Sequence, residues 1–118
     1  MTQDAKPFAA AWFDSWKARD FETFRTLLND DVTVDGPMGH AGNADECLEG
    51  IQGMSRMVTD IVVHKIFANG SDVVTWFDLY TADAGPPPTT NWSHVENGKI
   101  TRILVTFDPR PLLQDRGA

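Results

Sequence analysis

The chain has 118 residues, 42% of them hydrophobic and 23% charged, which suits one compact domain with enough apolar material for a core. Ten basic residues against seventeen acidic ones leave a formal charge of −7. With no local basic cluster, that balance repels a phosphate backbone and excludes nucleic acid as a partner. No apolar run approaches the roughly 20 residues of a membrane span, and the opening residues lack a signal-peptide pattern. The single cysteine, Cys47, rules out an internal disulfide and fits a reducing compartment. The expectation is a soluble, cytoplasmic single domain over residues 1–118.

Phe8, Trp12, Phe13 and Trp16 recur at the spacing of an amphipathic helix, and Pro7 suits its first turn. Asp20 can cap a second helix carrying Phe21, Phe24, Leu27 and Leu28 on one stripe. Val32 to Asp35 reads as a short strand, stopped by Gly36-Pro37 and a small-residue loop through Gly42. Asn43 with Glu46 three residues on forms a capping box for a third helix bearing Leu48, Ile51, Met54 and Met57.

From Ile61 the residues turn β-branched and aromatic. Strands are expected over Ile61–Ala68, Val73–Ala82, Thr89–Glu96 and Lys99–Phe107. Asn69-Gly70 and Asn97-Gly98 supply two tight hairpin turns. Gly85-Pro86-Pro87-Pro88 cannot continue a sheet and reads as a stiff loop. Asp108-Pro109 ends the last strand, leaving 109–118 as a loose tail. Helices first and an antiparallel meander afterwards make an α+β domain: a curved sheet wrapped around a long helix, giving a cone closed at one end.

This order, with Asp20-Phe21-Glu22, the run Asn29 to Gly39, His94 to Ile100 and Phe107-Asp108-Pro109, resembles the nuclear transport factor 2-like superfamily. Within it the likeness is to SnoaL-like and ketosteroid isomerase-like proteins, among which polyketide cyclases and dehydratases also occur. The resemblance implies a cofactor-free enzyme of the isomerase, cyclase or dehydratase type that moves a proton on a small apolar carbonyl compound. The alternative is a protein of the same fold that holds a small hydrophobic molecule, or forms a dimer, without turnover. The position of the isomerase base falls on Gly36, and Asp35, one residue earlier, points to the other strand face. The isomerase tyrosine falls on Trp12 and the oxyanion-holding acid on Asn91.

Both faces of the Val73–Ala82 strand are apolar, so alternation alone leaves its inward face open. Registering Asn69-Gly70 on the family pattern implies that Val74, Trp76, Asp78 and Tyr80 face inward. It sends Asn91, Ser93 and Val95 inward too, with Ile103, Val105 and Phe107. Trp12, Val34 and Met54 complete the expected ligand-binding wall. Asp78 among aromatics is then the candidate general base, and Asn91 the group that holds a developing oxyanion. The same facing puts Phe77, Leu79, Trp92 and Leu104 outside as an apolar patch, which implies a homodimer through the outer sheet face.

His40 either roofs the cavity or sits in a surface loop, and His64 reads as a core or edge histidine. His94 cannot pair with Ser93, because strand neighbours point apart. Cys47 reads as a packing residue. No ligand spacing for a metal and no glycine-rich nucleotide loop is present, so neither metal nor cofactor is expected.

Overall fold

The structure is a computed structural model, and it describes residues 5–37, 39–82 and 87–110. The elements run α1 (Lys6–Ala18), α2 (Phe21–Thr26), β1 (Leu28–Gly36), β2 (Gly39–Ala41), α3 (Ala44–Ser55), β3 (Val58–Asn69), β4 (Asp72–Thr81), β5 (Pro88–Glu96) and β6 (Lys99–Thr106). Pro7 lies in the first turn of α1; of the expected stripe Trp12, Phe13 and Trp16 are buried and Phe8 is half-buried, with Ala9 buried beside them. Asp20 caps α2 by accepting from the Thr23 N–H. Asn43 accepts from the Glu46 N–H at 2.9 Å, while Glu46 reaches back to the Gly42 N–H at 2.7 Å. The second arm of this box thus lands one residue ahead of the cap.

Leu27 and Leu28 leave the helix that their spacing predicted. Leu28 opens β1 and is buried there, because tertiary burial outweighs local propensity. The predicted loop after Asp35 contains a short strand, β2, which pairs back onto β1. Met57 lies beyond the end of α3 and is exposed. Of the expected loose tail at 109–118, residues 111–118 fall outside the described residues, as do the loop residues 83–86.

The six strands form one sheet in the order β2-β1-β6-β5-β4-β3. Every pairing is antiparallel except β1 with β6, which is parallel. The first long strand therefore lies beside the last. Asn97 and Gly98 both take positive φ, 52° and 77°, the backbone of a two-residue hairpin turn that matches sheet twist. Among the described residues, the core sits between α1, α3 and the inner sheet face, with Phe24, Val32, Phe77, Val95, Ile100 and Ile103 fully covered.

One expectation about facing is reversed. On β4 the inward residues are Val73, Thr75 and Phe77; Phe77 is 2% exposed and stacks edge-on to Phe13 at 4.7 Å. Val74 and Trp76 lie outside, at 38% and 43% exposure. The cause is register. Thr75 stands opposite Asn91 and Val73 opposite Ser93, so residues that face each other across the hairpin share a side. Asn91 and Ser93 are inside, which forces Thr75 and Val73 inside and turns Trp76 and Asp78 out. A one-residue slip in pairing moves a whole strand's side chains to the other face.

Candidate functional site

Between α1, α3 and the inner sheet face lies a cavity of about 280 Å³ with an almost wholly apolar wall. α1 supplies Trp12 and Trp16, since buried positions four apart on a helix stack on one face. α3 supplies Cys47, Ile51 and Met54, and the strands supply Val34, Phe77, Leu79, Asn91 and Val105, with Phe107 just past β6. The size and lining suit a small, ring-bearing apolar ligand.

The expected site residues divide into three groups. Trp12, Val34, Met54, Asn91, Val105 and Phe107 border the cavity. Ser93 and Ile103 face inward and are buried, but they back the wall instead of forming it. Val74, Trp76, Asp78 and Tyr80 do not border it. Asp78, expected as the base, is hydrogen-bonded to His64 Nε2 at 2.8 Å on the outer face. The His64 ring in turn packs on Trp76, centroids 4.9 Å apart. The register described above separates Asp78 from Asn91 by the thickness of the sheet.

Two residues of this mostly apolar wall, Asn91 and Trp12, carry buried side-chain N–H donors. Asn91 is 3% exposed, and its carbonyl accepts from Ser93 Oγ at 3.2 Å, so what it has left to offer a ligand is its NH₂ donor. The Trp12 indole N–H is buried with no acceptor among the described residues. Buried donors are nearly always partnered, so this one marks a place where an acceptor is wanted. Cys47 borders the same space, but burial pushes its thiol up to about 12. It stays protonated and inert.

At the edge of the sheet, β2 brings His40 opposite Asp35 on the strand face turned away from Val34, and Asp35 Oδ1 lies 2.6 Å from His40 Nδ1. His40 borders the cavity while remaining exposed, as does Glu46 from the first turn of α3. Sequence reasoning treated this stretch as a loop. The signal it held was the symmetry of Asp35-Gly36-Pro37 and Gly39-His40, a turn flanked by residues able to pair.

The outer face is organised differently. His94 Nδ1 meets Asp72 at 2.7 Å and its Nε2 meets Glu96 at 3.2 Å. The Asp72 hydrogen bond is the main reason that the His94 pKa is raised. Trp92 donates to Asp72 and carries the Arg102 guanidinium 5.6 Å from its ring centre. Among the described residues, no group of three His, Cys, Asp or Glu side chains could hold a metal ion. Among them, too, no helix is long and apolar enough to cross a membrane.

A model of the SnoaL-like domain matches residues 9–103. Among curated proteins none matches. Solved structures are similar over almost the whole chain. A protein from Kribbella flavida superposes with a TM-score of 0.88 at 24% identity, covering 94% of this chain and 92% of that one. An NTF2-like protein of unknown function from Cytophaga hutchinsonii gives 0.84 at 27% identity, covering 96% and 97%. An LEH-like epoxide hydrolase from M. tuberculosis gives 0.77 at 20% identity, covering 93% and 86%. Likenesses this distant establish the fold; the activity has to be argued from the site.

Proposed function

The chain belongs to the SnoaL-like domain family, and from that premise and the cavity we propose a cofactor-free proton-transfer enzyme acting on a small apolar carbonyl compound. One observation carries this reading: a buried amide donor, Asn91, set in a mostly apolar wall. An apolar cavity alone would hold any greasy molecule. A donor aimed at one point of it favours a ligand with an oxygen there, and favours most a state in which that oxygen gains negative charge. The Trp12 indole N–H, buried and unpartnered by the described residues, belongs to a residue of the same wall.

The test uses 2-naphthol, a planar apolar phenol whose oxygen imitates an enolate. Fluorescence titration is expected to give saturable one-to-one binding that weakens when Asn91 is replaced. Absence of binding, or indifference to Asn91, overturns the proposal. A second reading, a binding protein without turnover, is favoured by one feature: Gly36 stands where the isomerases of this fold place their carboxylate base. Burst-free binding with no proton exchange in any bound ketone would support it.

We also propose a homodimer through the outer sheet face, with a changed membership for its patch. Phe77 and Leu79 point into the core and cavity. Phe67, Val74 and Trp76 take their place, at 62%, 38% and 43% exposure, beside Trp92 and Leu104, which stand opposite each other on β5 and β6. Soluble monomers rarely leave such a patch open. Acidic Asp72 and Asp78 and basic Lys65 and Arg102 on the same strands give a twofold contact opposite charges to match. A monomeric mass by light scattering at micromolar concentration overturns this. A cytoplasmic location is proposed on the buried, unpaired Cys47, which suits a reducing compartment.

A further inference from the structure

We infer that the outer sheet face binds a second copy of this chain in a proton-dependent way. The His64–Asp78 and His94–Asp72 pairs favour the contact when their imidazoles carry protons and oppose it when they do not. This rests on the homodimer reading above and adds to it the regulation of that surface.

The strand register lays the surface out. Phe67 stands opposite Val74, Val74 opposite Trp92, and Trp92 opposite Leu104. Residues paired across a sheet share a side, so these four make one apolar row across four adjacent strands. The row continues through Asp35, opposite Leu104, to His40 at the β2 edge. Charged groups flank it on both sides. Two residues along β4 in one direction, Asp72 stands opposite His94, which stands opposite Arg102. In the other direction Trp76 stands opposite Lys65, and beyond it Asp78 holds His64. A twofold arrangement that stacks the row on itself carries both flanks into the contact.

Each flank holds a carboxylate partnered by an imidazole. Asp78 Oδ2 lies 2.8 Å from His64 Nε2, and Asp72 Oδ1 lies 2.7 Å from His94 Nδ1. With the ring protonated, such a pair is neutral as a unit. With the ring neutral, the carboxylate is a net charge that a second copy would strip of water, which is the costlier burial. The chain as a whole carries −7 with its histidines neutral, so two copies repel, and every proton gained lessens that repulsion.

The surrounding charges do not replace the imidazoles in this role. Near His64 stand Lys65 and Asp60 on its own strand and Tyr80 beside Asp78 on β4; Asp60 is paired with Lys17. Near His94 stand Glu96, which its Nε2 meets at 3.2 Å, with Lys99 opposite Glu96 and Arg102 over the Trp92 ring. Acids, lysine, arginine and tyrosine keep their charge state through neutral pH, and histidine is the group that changes. His40, held by Asp35 and close to Glu46 across Gly42, acts in the same sense at the end of the row. Association that favours protonated rings takes up protons, so it tightens as pH falls and loosens as pH rises.

Sedimentation equilibrium of the full chain from about pH 6 to about pH 8.5 tests this. The dimer dissociation constant is expected to rise about tenfold or more over that range. His64→Gln combined with His94→Gln keeps a side-chain N–H for each carboxylate but takes up no proton. It should remove most of the dependence and leave the weak affinity of high pH. Asp72→Asn combined with Asp78→Asn should act oppositely and tighten the dimer at high pH. A dimer whose constant stays within about twofold across the range overturns the inference and leaves the homodimer reading standing. The same holds if the histidine variant keeps the full dependence, or if the asparagine variant binds itself more weakly than the unaltered protein at high pH. A monomer at every pH overturns the homodimer reading, and the inference with it.

Discussion

The two faces of the same sheet hold similar residues and use them in opposite ways. Both carry aromatics, while the histidine–aspartate pairs His64–Asp78 and His40–Asp35 both stand on the outer one. Inside, Phe77 and Thr75 are sealed under α1, and one amide stands in an apolar wall. Outside, Trp76 and Phe67 stay open to water, and polar groups neutralise one another: Asp72 alone serves both Trp92 and His94. The lesson is that a group's chemistry follows from what has been left unpaired and dry. Residue type does not decide it.

The sharpest way to break this comparison is to truncate neighbours on β4. Phe77→Ala is expected to destabilise the fold by about 3–5 kcal/mol in urea unfolding. Trp76→Ala, one residue on and facing out, should leave monomer stability nearly unchanged and weaken self-association instead. Equal losses from the two would mean that the faces are not distinct.

Next in size is the thiol. With Cys47 pushed up to about 12 from an ordinary 9.0, native protein at pH 8 should react with iodoacetamide at least about a hundredfold more slowly than unfolded protein. Comparable rates would place Cys47 at the surface, away from the cavity wall.

A smaller effect separates the wall's polar and apolar members. Asn91→Ala should weaken 2-naphthol binding about tenfold, the worth of roughly one hydrogen bond. Trp92→Phe, which alters only the outer side of the same strand, should leave that affinity alone. Ligand affinity that tracks Trp92 would move the binding site to the outer face.

The smallest effect concerns pH. The Asp72 hydrogen bond raises the His94 pKa in the folded protein, so folding gains from the protonated ring. That stabilisation is complete below the unfolded pKa of about 6.5 and fades as pH rises through the folded value. His94→Gln should therefore flatten the decline in stability between about pH 6 and pH 8. An unchanged slope would show that the pair contributes nothing on this exposed face, as many surface ion pairs do not.

Local pattern alone was enough for much of the architecture. The α1 stripe, the Asp20 and Asn43 caps, and the Asn-Gly turns each follow from contacts within a few residues, and the family resemblance rests on such segments. Burial of Trp12, Phe13 and Trp16 follows from helical spacing, and inward Asn91 and Ser93 from strand alternation combined with that resemblance. What lay beyond the sequence was decided between segments distant in the chain. Both faces of β4 are apolar, so only its pairing with β5, Thr75 opposite Asn91, settles that Phe77 enters the core and Asp78 leaves it. Likewise β2 is three residues long, too short for any periodicity, and its existence depends on the edge of β1 being available to pair. That pairing brings Asp35 and His40 together on the outer face of the hairpin. Register and edge pairing are properties of two strands at once, so one strand's own residues cannot specify them.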